Sequence, residues 1–413
     1  MSPVGLAPRA AVVVFLGFAF AYFFSALLRA VTATLAPVFT SELGIGAADL
    51  GLLAGAYFLG FASLQLPLGQ WLDRYGPRRV LLLLLFVAVL GCVAFAMARS
   101  LQSLVLARVL TGMGLSACLM APLTCYRTLF APTAQLRANS WMLMTGSLGM
   151  LASTLPVQWL LPLLGWRGLF IGLAAMILVA MVVIAWTTPS DVCAGRTTAA
   201  GLGYMSIACH PLFVRMAPMG FFLYGGMLAM QSLWIGPWLT RVAMATPEQA
   251  AGGLFLVNFC MLATFMLWGG AMPKLLTRGF GAERLMLWGV PVSLAVLAAN
   301  LVAGQEAGAW SWAAWCVSTT VISLSQPTVA LVFPADAAGR ALSAFNLVIF
   351  SGVFALQWGL GSIIDAMVTS GLSWPDAFRW TLAIFWICCA LSYLWFAFMR
   401  PGRAQNTLKM PDK

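Results

Sequence analysis

Apolar positions along the chain fall into runs of about 20 residues or more, each closed by a short polar stretch. A run of that length matches the thickness of a bilayer's hydrocarbon core when coiled as a helix, which satisfies its own backbone polar groups. The pattern predicts twelve spans, over 10–38, 48–71, 80–98, 101–125, 138–161, 166–187, 213–239, 250–272, 284–303, 310–333, 341–364 and 377–399. It describes an all-α membrane protein. The longest polar connection, Thr188 to about Leu212, contains Pro189, Ser190, Asp191, Gly195, Arg196 and Gly201. It reads as a cytoplasmic linker, 188–212, joining an N-terminal six-helix bundle, 1–187, to a C-terminal one, 213–400, ahead of a 401–413 tail. The first apolar run follows Arg9 and lacks a small-residue cleavage site at the usual length, so it reads as a span and not as a signal peptide.

The two halves echo one another. Ala36-Pro37-Val38-Phe39-Thr40 at the end of span 1 returns as Gly236-Pro237-Trp238-Leu239-Thr240 at the end of span 7. Arg137-Ala138-Asn139-Ser140 before span 5 returns as Arg340-Ala341-Leu342-Ser343 before span 11. Nearly equal offsets at equivalent places predict a duplicated six-helix unit, hence two pseudo-symmetric bundles.

Composition agrees with this picture and narrows it. The chain is 62% hydrophobic and only 8% charged, where soluble domains carry about 25% charged residues. The formal charge of +11 does not signal nucleic acid, because the arginines are scattered between apolar runs and form no patch. They act as topology determinants. With the N-terminus inside, sixteen basic residues fall on the cytoplasmic side and four outside, and Arg29 and Arg108 fall within spans. The positive-inside rule places both termini in the cytoplasm, with the chain in the cell membrane, the inner membrane if bacterial. The nine cysteines form no Cys-x-x-Cys pair and imply neither a disulfide framework nor a metal site. His210, the one histidine, stands at a span edge.

One polar stretch stands out. Gly69-Gln70-Trp71-Leu72-Asp73-Arg74-Tyr75-Gly76-Pro77-Arg78-Arg79 joins spans 2 and 3. Gly76 and Pro77 stop a helix and turn the chain, while Arg74, Arg78 and Arg79 suit an anionic lipid surface. The single acid, Asp73, calls for a particular partner, either a neighbouring arginine or the positive end of a nearby helix. The spelling Gly-x-x-x-Asp-Arg-x-Gly-x-Arg-Arg resembles the signature between the second and third helices of the major facilitator superfamily of transporters. The resemblance extends to Arg108-x-x-x-Gly112-x-Gly114 in span 4 and to Gly165-Trp166-Arg167-Gly168-Leu169-Phe170 before span 6. It implies alternating access, with two halves rocking about a central site lined by spans 1, 4, 7 and 10. It also implies a gate of Gly69, Asp73, Arg74, Gly76, Arg78 and Arg79, in which Asp73 meets the cytoplasmic start of span 11 in the outward-facing state. The second half, at Gly270 to Gly279, keeps basic charge but lacks the Asp-Arg pair, so this gate belongs to one half.

Every acid lies at a loop or span edge, so proton coupling through a buried carboxylate is not supported; Asp49 and Asp365 come nearest, at the outer edge. Arg29 and Arg108 lie within spans, roughly 13 Å and 10 Å from the outer ends at 1.5 Å per residue. An arginine at that depth needs a partner, and without an acid in the layer an anionic ligand fits the requirement. The same depth count adds Tyr57, Gln231, Asn258 and Gln357 as candidate substrate contacts, although polar residues of this kind also hold helices together. Arg108 is open between a structural and a binding role.

Tyr22-Phe23-Phe24 followed by Arg29 and Pro37 is similar to the first helix of the organophosphate/phosphate antiporter branch. That branch pairs its arginine with another on helix 7, where the offset of 200 places Ala229. The expected function is transport of a small organic anion such as a carboxylate, by a monomer that needs no cofactor and contacts the lipid bilayer but no nucleic acid. Export of amphiphilic or neutral compounds is the alternative, and a non-transporting receptor or scaffold the reading from another class. An enzyme is not expected, since one edge histidine and no intramembrane acid leave little for acid/base chemistry.

Overall fold

Twelve crossings emerge once one bend and one hidden turn are located. The computed structural model describes residues 8–130, 132–189 and 203–399, and the described residues are nearly all helical. By length and composition ten described helices can each cross a membrane. The bent pair Ala47–Ser63 and Gln65–Tyr75 makes an eleventh, its 46° bend falling at Leu64. Pro67 explains the bend: it has no N–H to offer the Ser63 carbonyl and its ring crowds that turn.

The twelfth crossing is concealed inside Leu155–Thr187, 33 residues long, where Gly165 takes φ 62. Contacts with the first span, Pro8–Leu43, reveal a reversal there. Trp141 packs on Phe15 at 5.8 Å and Thr34 donates to the Ser153 carbonyl at 2.7 Å, so Pro132–Ala152 ascends beside the first span. Trp166 and Arg167 reach Glu42 at 2.7 and 2.8 Å, while Val183 lies against Gly17. The chain therefore descends after Gly165, whose left-handed backbone makes the turn without a Cβ penalty. Pro132–Ala152 with residues 155–164 is the fifth span and residues 166–187 the sixth.

The remaining spans are the third, Pro77–Met97, the fourth, Leu101–Leu115 with Met120–Leu129, and the eighth, Pro247–Thr277. The seventh and tenth run Pro211–Arg241 and Ala309–Val332, and the ninth, eleventh and twelfth are Ala282–Ala303, Ala335–Thr369 and Trp374–Phe398. Of the sequence-defined linker, residues 190–202 lie outside the described residues; its end forms a short helix, Tyr204–Ala208. The tail 401–413 also lies outside them. His210 caps the seventh span, its Nδ1 accepting from the Leu212 N–H at 3.3 Å. Burial lowers the imidazole pKa, which favours the neutral form that can accept this bond.

Turn geometry repeats between the halves. Gly44 and Met244 take φ 62 and 56, Gly76 and Gly279 take 84 and 81, and Gly165 and Gly371 take 62 and 98. Each pair follows equivalent spans, at offsets of about 200 to 206 residues that match the sequence echoes. Thr40 and Thr240 also both donate to the carbonyl three residues back, at Pro37 and Pro237.

Within the first half, spans cross at glycines. A Cβ on Gly112 would stand 1.9 Å from the Tyr57 carbonyl oxygen, one on Gly60 2.1 Å from that of Val109, and one on Gly114 2.2 Å from the Ala88 nitrogen. The spacing of Arg108, Gly112 and Gly114 thus serves backbone contact between spans 2, 3 and 4. Gly112→Ala is expected to cost at least the ~1–3 kcal/mol of ordinary overpacking, read as earlier loss of the monodisperse protein on heating in detergent.

A seam between the second and eleventh spans joins the halves. We call the side carrying the 69–79 loop the loop side and the other the far side. At the far side Asp365 accepts from the Ala47 and Ala48 N–H groups at 2.9 and 2.7 Å, capping the second span. Next come glycines: a Cβ on Gly51 would meet the Gln357 carbonyl at 2.2 Å and one on Gly361 that of Ala47 at 2.3 Å. Further in, Phe350 lies 6.2 Å from Phe58 and 4.5 Å from Phe61. The first and seventh spans close beside this seam, Gly236 against the Ala33 carbonyl.

Candidate functional site

Arg29 sits where this seam meets the first span. Its guanidinium lies over the Phe61 ring, 5.7 Å from the centroid, with the Tyr22 and Tyr57 hydroxyls beside it. The side chain is half-buried, and its Nε is buried without a hydrogen-bond partner. The two ion pairs among the described residues join Glu42 to Arg167 and Arg215 to Glu283, both at 2.8 Å. Neither reaches Arg29, so aromatic faces and hydroxyls compensate its charge in place of a carboxylate.

Arg108 occupies a different setting. It is fully buried, donates to the Leu28 carbonyl at 3.0 Å and to the Thr32 hydroxyl, and lies 5.3 Å from the Tyr57 ring centroid. Those bonds grip the first span on either side of Arg29. Its Nε, like that of Arg29, is buried without a hydrogen-bond partner, and Tyr57, fully buried, lies beside both cations.

The other members of the expected layer are bonded to neighbouring protein groups. Gln231 donates to Asn258 at 2.8 Å, Asn258 to the Leu254 carbonyl at 2.8 Å, and Gln357 to the Ser232 hydroxyl at 2.9 Å. All three are buried, and the Gln231 and Gln357 bonds run from span to span, the packing role open to polar residues in membrane helices.

A second polar group, absent from the sequence reading, lies on the loop side of Arg29. Tyr224 donates to Gln326 at 3.2 Å, Gln326 to Asn346 at 2.6 Å, Asn346 to Gln65 at 3.5 Å, and Gln65 to the Phe61 carbonyl at 3.3 Å. The chain ties spans 7, 10, 11 and 2 and ends on the residue whose ring underlies Arg29. Tyr224, Gln326 and Asn346 are each half-buried. Local irregularity puts them there. Tyr224 lies in a π-helical turn, Gly220–Tyr224, and Gln326 stands two residues past a 3-10 turn, Thr320–Leu324; such departures from the α-ladder re-aim side chains and concentrate at functional sites.

At the loop, Gly76 takes φ 84 and Pro77 opens the third span. Arg78 donates to the Ala185 carbonyl, Arg74 lies over its neighbour Tyr75 at 5.3 Å, and Arg79 is exposed. Asp73 makes no hydrogen bond or ion pair among the described residues, and a Cβ on Gly69 would meet nothing within 4 Å. The far-side contacts are closed while Asp73, among the described residues, has no partner on the eleventh span. The second-half counterpart differs in form, since the eighth span continues through Thr277 and turns at Gly279.

A far-side pocket of about 370 Å³ is lined by Pro37 and Thr40, by their counterparts Pro237 and Thr240, and by Asp365 and Arg241. It lies at the far-side end of the seam, and Arg29 is not among its lining residues.

Comparison with known proteins agrees with this architecture. The family described as Major Facilitator Superfamily matches residues 18–356, and the chain belongs to it. The 4-hydroxybenzoate transporter PcaK of Pseudomonas aeruginosa is 29% identical over 169 residues, 41% of this chain and 38% of that protein. A probable L-galactonate transporter of Escherichia coli is 29% identical over 137 residues, 33% of this chain and 30% of that protein. The matched parts thus span less than half the length of these curated relatives. The crystal structure of a bacterial homolog to the human lysosomal transporter Spinster, inward-facing and unoccupied, has a TM-score of 0.74 at 16% identity, over 95% of this chain and 98% of that one. That likeness bears on the fold.

Proposed function

We propose that this member of the Major Facilitator Superfamily is an alternating-access transporter of a small organic anion whose carboxylate binds Arg29. One observation carries the reading: a guanidinium deep in the membrane, half-buried and compensated by rings and hydroxyls, has a nitrogen without a hydrogen-bond partner. An unpaired charge in such a place is costly, and a planar carboxylate offers it two parallel hydrogen bonds. The names of the relatives, transporters of 4-hydroxybenzoate and of L-galactonate, agree with a carboxylate cargo. The first-helix likeness to the phosphate antiporter branch does not extend to seventh-span chemistry, because Ala229 stands where a second arginine would bind a doubly charged phosphate. Family membership also sets aside the reading as an enzyme.

The moving bodies are the bundles 1–187 and 213–400, rocking as a monomer about Arg29, with the loop side facing the cytoplasm of the cell and both termini there. Asp73 engages the start of the eleventh span when the far side opens, which accounts for its lack of a partner with the far side closed. Arg29→Gln is expected to reduce carboxylate uptake into proteoliposomes about tenfold, the equivalent of one charge-assisted hydrogen bond at ~1.5 kcal/mol. Uptake at wild-type KM and rate in that variant overturns the assignment. Inhibition by uncharged amphiphiles, equal in both proteins, would point to a neutral cargo.

A further inference from the structure

We propose that the transported anion is an aromatic carboxylate bearing a hydrogen-bonding substituent opposite its acid group, and that Gln326 and Asn346 read that substituent. The proposal rests on Arg29 as the anchor for the acid group and adds the class of the remainder of the molecule.

Three features in sequence along the seam support it. Arg29 supplies a half-buried cation whose Nε has no hydrogen-bond partner, beside the Tyr22 and Tyr57 hydroxyls. The surface beside it is made of rings: Phe61 lies under the guanidinium, and Phe350, half-buried, stands 4.5 Å from Phe61. Flat π-systems prefer offset or edge contacts with such rings over contacts with saturated chains of equal area. One helical turn further toward the loop side, about 5.4 Å along the second span from Phe61, stands Gln65, and against it Asn346 and Gln326.

The amide chain is only partly saturated. Gln326 and Asn346 each spend one N–H, on Asn346 and Gln65 respectively, and each amide carries two. Each carbonyl oxygen likewise accepts one bond, from Tyr224 or Gln326, and has a second lone pair. Both side chains are half-buried, not sealed in the core. A hydroxyl can both donate to and accept from this pair. The Asn346–Gln65 contact, at 3.5 Å, is the longest in the chain, and it crosses between the halves. A substrate group seated there would bridge the eleventh span to the second, giving the bound molecule a hold on both moving bodies.

The deciding experiment measures uptake into proteoliposomes of benzoate, 4-hydroxybenzoate and cyclohexanecarboxylate by the wild type, Asn346→Leu, Gln326→Leu and Arg29→Gln. The wild type is expected to favour 4-hydroxybenzoate over benzoate by about tenfold in uptake efficiency, one net hydrogen bond, and benzoate over the saturated acid. In Asn346→Leu and Gln326→Leu the hydroxybenzoate-to-benzoate ratio should fall toward one. Because the ratio is internal to each preparation, a loss of folded protein scales both rates and leaves it unmoved. Arg29→Gln should lower both aromatic acids together and preserve the ratio. Equal wild-type handling of the three acids, or a ratio untouched by both leucine variants, overturns this proposal while leaving the Arg29 anchor standing. Undiminished uptake in Arg29→Gln overturns the anchor itself.

Discussion

Gly51→Val is expected to abolish transport by holding the far side open. In the far-side-closed state the position a Cβ would take on Gly51 is 2.2 Å from the Gln357 carbonyl oxygen and 2.9 Å from its carbon. Both are rigid backbone, so the second and eleventh spans would have to part to admit a valine. The clash falls on the contact between the halves, so it bears on the equilibrium between their two arrangements more than on the folding of either. An overpacking cost of ~1–3 kcal/mol, applied to one arrangement alone, shifts the population about 5-fold to 150-fold, and valine's second branch takes it to the upper end. Paired spin labels at Ser41→Cys and Ser370→Cys, both on exposed far-side residues, should report a longer distance together with the lost uptake. Gly172→Val is the control, since a Cβ there meets nothing within 4 Å. Unchanged distance and retained uptake in Gly51→Val would show that the seam does not have to close during the cycle.

The glycines of this seam explain what could be read before the fold was known. The spans, the repeat and the depth of Arg29 follow from one-dimensional quantities: apolar length, spacing and the cost of a charge in hydrocarbon. The depth count assumes straight, evenly registered helices, and it brought Arg29, Tyr57 and Arg108 together correctly. It placed Gln231, Asn258 and Gln357 in the same layer, yet layer membership says nothing of which way a side chain faces, and these three bond to Asn258, Leu254 and Ser232 of the second half. Gln65, Tyr224 and Gln326 lie outside the counted layer on spans that are bent or irregularly wound, and Tyr22 and Asn346 lie outside it on continuous helices. Pro67, Pro122, Pro218 and Pro237 were the available signals, each removing an N–H from a helix ladder near the site. Asp365 appeared in sequence as one of two acids near the outer edge, neither of which supported proton coupling through a buried carboxylate. Its capping of the second span depends on a partner 318 residues away in the chain, which no local pattern encodes.

Asp365→Ala should shift the protein toward the far-side-open state, and Asp73→Asn should shift it the opposite way. Asp365 ends the eleventh span and caps the start of the second through two backbone N–H groups. Asp73, near the end of the second span, would meet the start of the eleventh on the opposite side once the loop side closes. Each carboxylate then favours one arrangement by neutralising a helix N-terminus and satisfying its orphan donors. Hydrogen bonds to a charged group contribute about 1.5–3 kcal/mol, and partial exposure of Asp365 keeps the estimate for the pair at the lower end, roughly 2 kcal/mol and a 30-fold change in population. The Ser41–Ser370 label distance should lengthen in Asp365→Ala and gain weight at its short value in Asp73→Asn. Because the two variants act on opposite ends of one equilibrium, the double variant should return toward the wild-type distribution, while its interconversion becomes faster as both end states lose a stabilising tie. A double variant that resembles either single one would show that the two acids do not bias a common motion, and the reciprocal latch would have to be abandoned.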